Sequence, residues 1–163
     1  MDKRAAAVVA GVAVLGCALV GGANGPQHPR ARLWYLRLRK PGYTPPGPVV
    51  GATWTALEGL LAYTGYRLLR DPSSTARNTG LAGWGLTILG LAGYPWLFFT
   101  QRRLTASTVA AGGMLSAAAV TAVAARSVDK RAFRATAPLL VWLGFATVLS
   151  AQLQHRNRSR SAD

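Results

Sequence analysis

The sequence predicts an all-α membrane protein, a five-transmembrane-helix bundle forming one domain over residues 1–155. Three observations carry that class. Half of the 163 residues are hydrophobic, and they gather into five stretches, at about 5–25, 45–66, 78–101, 104–125 and 135–154, in which Glu58 is the one charged residue. Each stretch is near the roughly 20 residues that span about 30 Å of hydrocarbon at 1.5 Å rise per residue. The 19 Lys and Arg, against 5 Asp and Glu, fall in short clusters between the stretches. Inside lipid a chain must satisfy its own backbone hydrogen bonds, so the stretches are helices, with Trp, Tyr and Arg at their ends in the headgroup region.

A formal net charge of +14 in a soluble protein would point to nucleic acid. Here the cations flank the spans, where each gains about 1 kcal/mol near anionic lipid. The lipid bilayer is therefore the expected partner, in an integral multi-pass membrane protein, and nucleic acid is not. The run His155-Arg156-Asn157-Arg158-Ser159-Arg160 places a basic disordered tail at 156–163. Orientation is left open by charge. Nine basic residues (Lys3, Arg4, Arg67, Arg70, Arg77, Arg126, Lys130, Arg131, Arg134) stand on one side of the five spans and ten on the other, so the positive-inside rule has nothing to act on.

Taken in order, the first stretch follows Lys3-Arg4 and contains Val14-Leu15-Gly16-Cys17, which has the look of a lipoprotein processing site. Cleavage there would leave four spans and a lipid-anchored Cys17; otherwise Cys17 is a small buried hydrophobe in a first helix. A lone Cys excludes an internal disulfide framework and most metal sites. The second stretch opens with Pro45-Pro46 and Pro48, well placed for a first helical turn, and sets Trp54, Leu57, Glu58 and Leu61 on one face. The third and fifth contain Pro95 and Pro138, each of which removes a backbone donor and kinks or opens its helix. The fourth is rich in small residues, with Gly112 and Ser116 at i and i+4, a spacing the first repeats at Ala7 and Gly11, with Gly16 a further turn and a half on. Small residues let membrane helices approach closely, so tight packing within the chain is expected, with a homodimer as the other use of such faces. The fifth stretch sets Pro138, Trp142, Phe145 and Leu149 on one face.

Between the first two spans the chain reads Leu33 to Trp54, LWYLRLRKPGYTPPGPVVGATW. The order Trp34-Tyr35, Leu38, Lys40-Pro41, Pro45-Pro46, Gly51 and Trp54, followed by Tyr94-Pro95-Trp96-Leu97-Phe98-Phe99 and by the run Pro138 to Thr147 with Trp142, Phe145 and Ala146, resembles the TspO/MBR family of tryptophan-rich sensory proteins. The resemblance covers nearly the whole chain. It implies a five-helix bundle whose long first loop closes over a cavity that binds porphyrins and aromatic drugs. It also begins with a helix directly before Trp34-Tyr35, which favours a retained first helix and a retained Cys17.

The ligand contacts so implied are Trp34, Tyr35, Lys40, Pro41, Pro45, Pro46, Trp54, Tyr94, Pro95, Phe98, Phe99, Pro138, Trp142, Phe145 and Ala146, to which Glu58 is added from its place one turn after Trp54, where the family commonly has an aromatic residue. Two indoles, Trp54 and Trp142, facing each other across a cavity would form a slot for a flat ring, since aromatic side chains bury about 150–250 Å² each. Arg37, Arg39 and Lys40 stand where they could meet tetrapyrrole propionates through charge-assisted hydrogen bonds. The alternative reading makes Trp34 and Tyr35 interfacial anchors and Trp54 and Trp142 packing residues. The chain also departs from the family pattern. Leu91-Ala92 replace its Trp-Asn, Ala110 its Asp, Leu139 its Tyr, Leu149-Ser150 its Leu-Asn and Tyr43 its loop Trp. No Tyr lies between Val148 and Arg156, so sterol recognition is not supported.

The expected function is binding of a porphyrin, haem or similar planar aromatic molecule for transport, sensing or scavenging, with no required cofactor and no metal. The alternative that the resemblance implies is photo-oxidative porphyrin degradation, with Trp54 and Trp142 at the positions of the redox-active side chains. No nucleophile–base pair, metal cluster or phosphate loop marks an ordinary enzyme. Glu58 is the unusual residue, because an intramembrane carboxylate is costly and functional by default. It is expected to face the cavity in protonated form, or else to bond a backbone carbonyl or Thr55, Thr87 or Thr147.

Overall fold

The computed structural model describes residues 1–158. Its helices are α1 (Lys3–Ala23), α2 (Pro29–Arg37), α3 (Gly47–Arg70), α4 (Thr75–Pro95), α5 (Leu104–Val128) and α6 (Lys130–Arg156), with a π-helical turn at Trp96–Thr100. There is no strand among the described residues. Five helices are long, and the sixth, α2, is a nine-residue helix inside the segment read as the first loop. Four of them, Lys3–Ala23, Thr75–Thr100, Leu104–Val128 and Lys130–Arg156, are long and apolar enough to cross a membrane. α3 has 24 residues but carries Glu58, Arg67 and Arg70 and falls short of the other four in apolarity.

The long helices pack in a ring, α1 against α3 and α4, α4 against α5, α5 against α6, and α6 back against α3. Each contributes to one core of Ala10, Val14, Leu57, Leu61, Trp84, Ile88, Met114, Ala118, Leu139 and Leu143. Helix ends run past the apolar stretches because polar residues cap them. Asp2 accepts from the Arg4 amide, Ser74 from the Arg77 amide, and Asp129 from the amides of Arg131 and Ala132. Asp129 also binds Arg67 at 2.5 Å, the two side chains 12% and 7% exposed, so one carboxylate joins α3 to the α5–α6 turn. Burial alone would raise the Asp129 carboxyl, but the bond from Arg67 and the two backbone amides outweigh it and hold it below its usual range.

Close approach does occur, but through other small residues than the sequence pattern picked. Nothing stands within 4 Å of a Cβ placed on Gly11, Gly16 or Gly112, and Ser116 is exposed. On α1 the buried small residues are Ala6, Ala10 and Gly21. A Cβ on Gly83 would lie 2.7 Å from the Ala117 carbonyl oxygen, which is where α4 and α5 touch. Gly65 is covered by the indole of Trp84, whose Nε1 donates to the Leu61 carbonyl at 2.9 Å. Periodicity identifies small faces; which of them meets a neighbour depends on helix rotation.

Pro95 acts as expected of a helix-interior proline. The ladder widens after it, and the Gln101 amide bonds to the Trp96 carbonyl five residues back. Arg102 then takes a positive φ of 56° to reverse the chain into α5. The expected tail at 156–163 needs correction. Arg156 completes α6 and Asn157 is 1% exposed; residues 159–163 lie outside the described residues.

Candidate functional site

The residues singled out in the sequence gather at one end of the ring, in two aromatic groups. In the first, Trp34 and Tyr35 on α2 lean on Phe98 and Phe99 of the π turn. Trp34 meets Phe98 edge to face at 5.3 Å between centroids, and Tyr94 stacks on Phe98 at 5.8 Å. Leu38, Leu104 and Leu153 close this group. The Tyr94 hydroxyl and Ser150 hydroxyl lie 2.8 Å apart, so a position where the chain departs from the family pattern holds α4 to α6.

In the second group, Trp54 of α3 and Trp142 of α6 meet edge to face, centroids 6.2 Å apart with planes at 88°. Trp142 tilts against Phe145 at 5.4 Å, and Tyr43 caps Phe145 at 6.2 Å. The indoles therefore touch, and the expected open slot between them is closed. Two shallow concavities, of about 420 and 580 Å³, lie at the opposite end, around Ser74, Ala76 and Ser127. They touch none of the residues chosen from sequence. The Trp142 Nε1–H is buried and has no hydrogen-bond partner among the described residues.

The remaining positions divide. Lys40 Nζ sits 4.3 Å from the Tyr35 ring centroid, a cation–π contact, and burial pushes its ammonium below and the Tyr35 phenol above their usual ranges. Pro41 is buried, Pro45 and Pro95 half-buried, and Pro46 is the exposed residue at which α3 begins. Ala146 is half-buried. Pro138 is exposed, within the unbroken α6. Glu58 is half-buried on the inner half of α3, one turn from Trp54, with exposed Thr55, Ala56 and Gly59 on the other side. Its carboxyl makes no hydrogen bond or ion pair among the described residues. Thr55, Thr87 and Thr147 donate instead to the carbonyls of Gly51, Gly83 and Leu143.

Sequence reasoning passed over three members of this region: Tyr43, Ser150 and Asn157. Tyr43 and Ser150 were visible only as departures. The Asn157 carboxamide bonds both backbone groups of Arg39, 118 residues away, and no sequence signal marks such a pairing.

A ring of long apolar helices with an aromatic cluster under its first connection defines a polytopic α-helical membrane protein. The TspO/MBR family model matches residues 7–156. The chain is 31% identical over 148 residues to the translocator protein of Ovis aries, covering 86% of this chain and 85% of that protein. It is 31% identical over 126 residues to the translocator protein of Homo sapiens, covering 76% and 74% of the two chains. It is 26% identical over 125 residues to the tryptophan-rich protein TspO of Bacillus cereus, covering 75% and 79%. The chain belongs to the TspO/MBR family.

Proposed function

We propose that this protein binds a planar aromatic ligand, a porphyrin, haem or related tetrapyrrole, at the Trp54–Trp142 group beneath the first connection. The role is transport, sensing or scavenging in a bacterial cell membrane. One observation carries the reading. A buried donor without an acceptor costs about 1–3 kcal/mol, and the Trp142 Nε1–H is such a donor inside an otherwise aromatic cluster. A ligand that presents an acceptor there removes that cost, and its ring replaces the indole–indole contact, worth about 0.5–1.5 kcal/mol, with stacking on both. Rotation of one indole would open the space. We read α3 as the fifth span, since its 24 residues exceed the membrane thickness and its inner half packs into the shared core. The two ends of the chain then lie on opposite sides of the bilayer, which reporter fusions at each end test directly.

Titration of the purified protein with protoporphyrin, followed by quenching of Trp fluorescence, tests the ligand. Saturable quenching supports the reading, and its absence at micromolar porphyrin sinks it. The same incubation in light and in darkness separates reversible binding from conversion to a bilin-like product.

A further inference from the structure

The segment 38–46, between α2 and α3, lies as a strap across the aromatic end. Leu38 enters the Phe98, Leu104 and Leu153 group, Pro41 is buried, and Tyr43 rests on Phe145, which packs on Trp142. Its hydrogen bonds to the bundle, among the described residues, all go to Asn157. The Arg39 amide donates to Asn157 Oδ1 at 3.0 Å, and Asn157 Nδ2 donates to the Arg39 carbonyl at 3.2 Å. The second Nδ2 hydrogen serves the Leu153 carbonyl at 2.8 Å, one of those left open where α6 ends. A carboxamide carries a donor and an acceptor side by side, so it pairs with one residue's N–H and C=O as a neighbouring strand would. Asn157 is 1% exposed, so water does not compete for these bonds.

We propose that Asn157 is the latch of this strap: its carboxamide holds segment 38–46 shut over the Trp54–Trp142 group, and its release sets how fast a ligand enters and leaves. The exchange part rests on the proposed ligand-binding reading. The latch is a positioning device, because Asn157 touches the strap and not the indoles. It also couples the end of α6 to the first connection, so a change at that end reaches the site through Arg39.

Asn157→Leu keeps the number and branching of side-chain heavy atoms and removes both bonds to Arg39; Asn157→Asp keeps the acceptor and loses the donors. Both are compared with wild type as full-length protein in lipid nanodiscs, with circular dichroism reporting helix content. Trypsin cleavage at the Arg39–Lys40 bond reads strap opening without any ligand. Two lost hydrogen bonds should accelerate it about tenfold in Asn157→Leu, and Asn157→Asp, which sets a carboxylate oxygen against the Arg39 and Leu153 carbonyls, should accelerate it as well. Stopped-flow with protoporphyrin should show entry and release both faster by a similar factor, leaving affinity little changed. Unchanged cleavage in a helical Asn157→Leu or Asn157→Asp protein overturns the latch, since apolar contacts alone would then hold the strap. Faster cleavage with unchanged porphyrin exchange overturns its role as a gate. A wild type that binds no porphyrin defeats the ligand reading, and cleavage then decides the latch by itself.

Discussion

Trp54 and Trp142, 88 residues apart in sequence, meet edge to face with their planes at 88° and centroids 6.2 Å apart. That contact joins α3 to α6 and closes the space a flat ring would occupy. Under the proposed ligand-binding reading, entry competes with an aromatic pair already formed, and pairing of the buried Trp142 N–H favours the exchange.

Trp54→Phe or Trp142→Phe should each weaken protoporphyrin binding by about 1 kcal/mol, roughly fivefold, while helix content stays intact. Trp142→Phe should cost the more, because it removes the donor as well as stacking area. Fluorescence titration of each variant checks this; equal affinity in all three proteins would make both indoles packing residues.

Glu58 stands one turn from Trp54 on the inner half of α3, with no partner for its carboxyl among the described residues. When ionised it repels porphyrin propionates, so affinity for the anionic porphyrin should fall as pH rises. Glu58→Gln should flatten that dependence and bind more tightly at the alkaline end. A pH profile that is the same in both proteins assigns Glu58 to structure.

Asp129 links Arg67 to the first turn of α6, and its carboxyl is held below the usual range. Its contribution to stability is complete above the unfolded carboxylate value, near 4, and is lost as pH falls through the lower folded value. Asp129→Asn should cost about 2 kcal/mol, between exposed and buried ion pairs. Thermal unfolding in detergent across pH 3–7 should show the difference from wild type shrinking at the acid end.

Gly83→Ala places a methyl 2.7 Å from the Ala117 carbonyl oxygen and 2.7 Å from Thr121 Oγ1, and should destabilise the α4–α5 contact by about 1–3 kcal/mol. Gly112→Ala meets nothing within 4 Å and should stay within about 0.5 kcal/mol of wild type. Melting temperatures of the two variants give the comparison.

Sequence alone determined the class, the family and the chemistry available. Apolar stretches near membrane thickness separated by basic clusters leave only helices, because lipid offers the backbone no other partner. The proline at position 95 announced an opened helix, and a π turn follows it. The motif residues Trp54, Trp142, Phe98 and Lys40 were legible because spacing and residue type carry them. Tertiary structure decided what depends on helix rotation and on contacts between distant segments. Gly83 rather than Gly112 makes the close approach, because one small face turns toward a neighbour and the other does not. The slot expected between the indoles is a closed edge-to-face pair, because side-chain rotation is set by packing across α3 and α6. Asn157, read as part of a disordered tail, is buried against Arg39, because a hydrogen bond spanning 118 residues leaves no periodic trace in the chain that makes it.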